Sequence, residues 1–89
     1  MPRMVITHAV ADVDTWLGFK AERAEAIALL GGSDVVDHVA LEGSNTVAVS
    51  AMVADVDAMM GTLASPPPEV AGVMEKHGVL PPLVAYVEG

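Results

Sequence analysis

Two kinds of apolar pattern alternate along this chain. Short runs rich in β-branched residues mark strands, and longer stretches with apolar positions three and four apart mark helices. The first short run is Met4-Val5-Ile6-Thr7-His8-Ala9-Val10, and a similar one spans Thr46–Val53. A third covers Val35–Glu42 and turns at Gly43-Ser44-Asn45 into the Thr46 run, while a fourth, Leu83–Glu88, follows Pro81-Pro82. The helical stretches are Val13–Leu30, stopped by Gly31-Gly32, and Val56–Ala64, stopped by Ser65 and the Pro66-Pro67-Pro68 run. Glycine past a helix end accepts left-handed backbone, and proline cannot continue a helix. A short helix then restarts over Glu69–His77 and closes at Gly78.

The order strand-helix-strand-strand-helix-strand is a split β-α-β arrangement, an α+β fold of the ferredoxin-like type. The expectation is one domain over residues 1–89, with a four-stranded antiparallel sheet. Its first and third strands are expected at the centre, related by duplication and running parallel. The duplication is visible directly: Val10-Ala11-Asp12-Val13-Asp14 recurs 43 positions later as Val53-Ala54-Asp55-Val56-Asp57. In each copy the string joins a strand to a helix. The first Asp suits the N-cap and the second the positive end of the helix dipole.

Applying the same offset assigns strand faces. Met4, Ile6, His8 and Val10 align with Val47, Val49, Ala51 and Val53, a bulky apolar set that should face the helices. Val5, Thr7 and Ala9 align with Ala48, Ser50 and Met52, a smaller set suited to contact with a second sheet. His8 is thereby expected beneath the helices. Plotted at about 100° per residue, an unbroken Val13–Leu30 helix has an apolar arc containing Trp16, Leu17 and Ile27. Lys20 falls near its middle and Arg23 beside Trp16. An unpaired buried charge is costly, so both must reach water, an acid or an anionic ligand.

Composition narrows the class of function. Cysteine is absent, which removes disulfides and thiolate chemistry. Twelve acids against four bases give a net charge of −8, so nucleic acid is not an expected partner. Apolar residues make up 53% of 89 positions, a surplus that a partner subunit would cover. No apolar run reaches the ~18–20 residues of a spanning helix. Met1-Pro2-Arg3-Met4 lacks the apolar core of a signal peptide. A cytoplasmic homodimer, with no membrane partner, is the reading that follows.

The pattern His8-x-Val10-x-Asp12-x-Asp14-x-Trp16-x-x-Phe19 resembles the dimeric α+β-barrel superfamily. Leu63-x-Ser65-Pro66, Met74-x-x-x-Gly78-Val79 and Tyr86-x-Glu88 extend the resemblance over the chain. That superfamily includes antibiotic-biosynthesis-monooxygenase-like, polyketide-cyclase-like and stress-responsive barrel proteins. The resemblance implies a dimer with facing sheets and a ligand pocket between sheet and helices in each protomer. Haem-degrading members use an Asn, Trp and His set that has no counterpart here in matching positions.

The candidate site is therefore a pocket lined by His8, Trp16, Lys20 and Arg23, with Met59 and Tyr86 as walls. It would take a mostly apolar, aromatic or polyketide-like ligand bearing an anionic group. Arg23 or Lys20 would hold the anion, and His8 would act as acid or base. No cofactor is expected, and no metal either, since the three histidines have no ligand spacing. The activity would be a cyclase, isomerase or monooxygenase reaction. The alternative is a non-catalytic binding, oligomerising or regulatory domain, in which both cations lay their stems on the core and extend their heads outward. His77 is read as a helix-end residue. Asp37 and His38, adjacent in a strand, should point to opposite faces.

Overall fold

The computed structural model describes residues 2–89, so Met1 of the N-terminal segment considered above lies outside the described residues. The chain runs β1 (Arg3–Val10), α1 (Val13–Gly18), α2 (Lys20–Leu29), β2 (Gly32–Val39), β3 (Thr46–Val53), α3 (Val56–Ala64), α4 (Pro68–Lys76) and β4 (Val79–Val87). The four strands form one sheet in the order β2-β3-β1-β4, with every neighbouring pair antiparallel. This is the split β-α-β fold.

The two central strands correct one expectation. β1 and β3 run antiparallel, pairing Met4 with Ala51, Ile6 with Val49 and His8 with Val47. The reason is topological. The turn at Gly43 (φ 86°) reverses the chain between β2 and β3, and β3 then fills the gap between β1 and β2. Duplicate strands are consequently related by a two-fold rotation, and the register sets the two predicted core faces side by side.

The faces fall as the pattern requires. Met4, Val10, Val47, Val49, Ala51 and Val53 are buried beneath the helices together with His8. They form two apolar clusters. Met59 joins Met4, Ala51 and Val53, whereas Trp16 joins Val10, Val47 and Val49. Ile27 and Val35 pack against both.

The long first helix is interrupted. It breaks at Phe19 (φ −99°, ψ 19°), where the Phe19 N–H donates to the Trp16 carbonyl in a tight turn before α2 begins. Helix α2 ends at Gly31, whose φ of +91° favours glycine. Gly32 then passes so close to α2 that a Cβ there would come within 2.4 Å of the Ile27 side chain. Strand β2 accordingly starts earlier than its apolar run suggested and ends at Val39.

Strand β4 also starts earlier, at Val79, and runs through Pro81-Pro82. Proline fits because β4 is an edge strand with one unpaired side. Its register with β1 shifts between Thr7, opposite Val84, and Ala9, opposite Leu80, so β4 detours around His8. Among the described residues, no helix is long and apolar enough to cross a membrane.

Candidate functional site

Between the helix-covered face of the sheet and helices α2, α3 and α4 lies a cavity of about 110 Å³. Most of its wall is aliphatic, with Met4, Ala51, Met59 and Leu63 at one end. His8, Trp16, Arg23 and His77 line the other end and are the lining side chains that carry nitrogen. The cavity thus has an oily end and a polar end.

Arg23 organises the polar end. Position 23 lies on the inner side of α2, and the guanidinium carbon sits 3.8 Å from the Trp16 ring centroid. Only 8% of the Arg23 side chain and 1% of the Asp37 side chain remain exposed. Nε donates to Asp37 Oδ1 at 3.0 Å and Nη2 to Oδ2 at 2.9 Å, a two-pronged pairing that matches the planar guanidinium. Nη1 lies 3.4 Å from His77 Nδ1. Asp37 reaches this position because β2 pairs it with Val49 on the helix-covered face. Its neighbour His38 points the other way, with Nε2 3.2 Å from Ser50 Oγ.

The two histidines hold opposite tautomers. His8 Nδ1 is 2.9 Å from the Ala9 carbonyl oxygen, which can only accept. The proton is therefore on Nδ1, leaving the lone pair on Nε2. Burial lowers the His8 pKa from its ordinary value; the Ala9 bond acts against this and the Arg23 charge adds to it. His77 accepts from Arg23 at Nδ1, so its proton is on Nε2, which has no hydrogen-bond partner and lies 3.8 Å from Glu22 Oε2. Burial, and then the Arg23 charge, lower the His77 pKa too. The His77 ring stacks on Phe19 with centroids 4.5 Å apart.

Trp16 is fully buried, and its Nε1–H has no hydrogen-bond partner. A buried donor without an acceptor is expensive in a finished core. Here it belongs to a cavity wall, beside His8 at a ring separation of 6.3 Å. Trp16, with an unpartnered N–H, and His8, with an unprotonated Nε2, thus stand side by side in the cavity wall.

Of the six residues singled out in the sequence, His8, Trp16, Arg23 and Met59 line this cavity. Lys20 and Tyr86 do not. Lys20 is exposed at the first position of α2, because the break at Phe19 resets the helix and turns Phe19, rather than Lys20, toward His77. Tyr86 stands on edge strand β4 opposite Val5, 59% exposed and clear of the helix-covered face.

Sequence reasoning missed Asp37 and His77. Asp37 carried a usable signal, since alternation places it on one face with Val35 and Val39, where an acid needs a cation. His77 does sit at the C-cap of α4 (φ −80°, ψ −4°), but only the packing of α4 against α2 shows its ring to be buried. The cap expectations divide as well. Asp55 accepts from the Ala58 N–H at 3.0 Å, whereas Asp12 bonds the Thr15 hydroxyl at 2.6 Å and no backbone N–H. Among the described residues, no three His, Asp or Glu side chains gather as metal ligands.

No protein-family profile matches the chain, and no curated protein matches it. Solved structures do. One, described as a "putative antibiotic biosynthesis monooxygenase" from Deinococcus radiodurans, is 16% identical, with a TM-score of 0.58 over 100% of this chain and 93% of that one. A second with the same description, from Bordetella bronchiseptica, is 16% identical, with a TM-score of 0.66 over 99% and 94%. A protein from Agrobacterium tumefaciens is 11% identical, with a TM-score of 0.63 over 100% and 92%. At such identities the likeness is one of fold: the chain has the ferredoxin-like α+β fold of the structures described as putative antibiotic biosynthesis monooxygenases.

Proposed function

We propose that the cavity binds a compact, mostly apolar molecule carrying one oxygen function, and that His8 removes an acidic proton from it. The observation that carries this reading is the pairing of donor and base at the polar end. Trp16 Nε1–H has no protein acceptor, so a ligand carbonyl or developing enolate oxygen would satisfy it. His8 Nε2 bears the lone pair that would receive the proton, and the depressed pKa keeps the ring neutral at pH 7. Burial of the aliphatic part would supply most of the affinity. An apolar cavity of ~150 Å³ takes up benzene, so about 110 Å³ suits a single ring or a branched chain of similar size. Proton removal next to a carbonyl or phenol is a first step shared by cyclisation, isomerisation and oxygenation. Two similar structures, described as putative antibiotic biosynthesis monooxygenases, fit that group.

The test is hydrogen–deuterium exchange. With cyclopentanone as probe, the protein in D2O should exchange the hydrogens beside the carbonyl faster than buffer does. His8→Ala should abolish the excess rate and Trp16→Phe should reduce it. Because protonation silences the base and the His8 pKa is lowered, the excess should persist at pH 7 and fade only at a pH below the ordinary histidine value of about 6.5. Exchange that is equal in wild type and His8→Ala would remove His8 from the chemistry.

The same reading pairs the chain with a second copy through the sheet face away from the helices. Val36, Leu80, Val84 and Tyr86 stand there at 41%, 43%, 44% and 59% exposure, a run of apolar side chains that a twin sheet would cover. Light scattering should give about two protomer masses, reduced to one by Val84→Asp. A single protomer mass for wild type at micromolar concentration would end this part of the proposal.

A further inference from the structure

We propose that Asp37 sets the charge of the ligand: by neutralising Arg23 it makes the cavity accept a neutral oxygen-bearing molecule and reject the corresponding carboxylate. The inference rests on the cavity reading above and specifies the chemical class it takes. A buried arginine in an apolar cleft ordinarily points to an anionic ligand, and that was the expectation from sequence. The geometry assigns the anion's place to the protein itself.

Asp37 occupies one two-pronged edge of the guanidinium, Nε with Nη2, and its charge already neutralises the cation that a ligand carboxylate would seek. One face of the planar guanidinium is covered by the Trp16 ring, and Nη1 is engaged by His77. What remains for a ligand is one N–H on Nη1 and one on Nη2, together with the unpartnered Trp16 Nε1–H. Those donors would serve any ligand oxygen, so the charge balance of the site decides between a neutral one and a carboxylate.

The charges agree with the geometry. At the polar end Arg23 and Asp37 cancel. His8 and His77 are both neutral at pH 7, because burial and the Arg23 charge hold their pKa values down. The next charged pair, Glu22 with Lys76, lies on the solvent side of His77, and its members cancel each other as well. A ligand carboxylate would therefore add a net negative charge to a buried, compensated site, with no cation left to pair it. Its neutral counterpart incurs no such desolvation.

The experiment compares isobutyramide with isobutyrate, two branched molecules of nearly equal shape, by ligand-observed NMR titration at pH 7. Wild type should bind the amide at least about tenfold more tightly than the carboxylate. Asp37→Asn, which keeps the shape and removes the charge, should reverse the order. Equal or tighter binding of isobutyrate by wild type overturns the proposal, as does an Asp37→Asn protein that folds and still prefers the amide. If Asp37→Asn does not fold, the wild-type comparison decides alone. Binding of neither probe by wild type overturns the cavity reading itself, and this inference with it.

Discussion

The two halves of the duplication occupy equivalent places and do different work. With the 43-residue offset, His8 on β1 corresponds to Ala51 on β3, Trp16 on α1 to Met59 on α3, and Arg23 on α2 to Pro66 in the break before α4. Trp16 and Met59 are each the one buried residue of their helix, so both copies use that position as the anchor of helix to sheet. Around the anchor the copies diverge. The first surrounds it with an imidazole and a guanidinium, and the second with methyl groups. The cavity lies between them, which is why one end is polar and the other oily. Duplication thus supplies the symmetric shell, and divergence of three aligned positions gives the cavity its polarity.

The largest test of that contrast is to erase the polar half's charges. Asp37→Leu or Arg23→Met alone leaves one buried charge unpaired and should cost about 3–5 kcal/mol in urea denaturation. The double variant removes both charges and should recover most of that loss, landing within about 1–2 kcal/mol of wild type on either side. Single variants that are as stable as the double would mean that the pair is reached by solvent and does not organise the cavity.

A smaller test addresses the two helix starts. Asp55→Ala removes a carboxylate that caps the Ala58 N–H and should cost about 1 kcal/mol. At the aligned position, Asp12→Ala loses only a bond to the Thr15 hydroxyl and should cost about 0.5 kcal/mol or less. Equal losses by thermal unfolding would restore the symmetry that the recurring five-residue string implies and that the hydrogen bonds deny.

Much of the frame was legible in the sequence because it depends on local, periodic quantities. Strand faces follow from alternation of side chains. One repeated string was enough to place His8 on the covered face. Arg23 was located beside Trp16 by helical periodicity, and the two do stack despite the break between them. Lys20 shows the limit of that method. A single irregular residue, Phe19, shifted the phase, and the periodic wheel carried no information about it.

The sequence by itself determined which faces are apolar, where the chain turns, and that a cation would have to be accommodated near the core, since these follow from residue type and spacing. Tertiary structure alone decided the direction of the central strands, the partner of Arg23 and the burial of His77. The physical reason is distance along the chain. Arg23 meets Asp37 and His77 only after β2 has entered the sheet and α4 has packed back across α2. Interactions between groups 14 and 54 residues apart leave no periodic trace, so the charge balance at this end of the cavity is a property of the folded molecule.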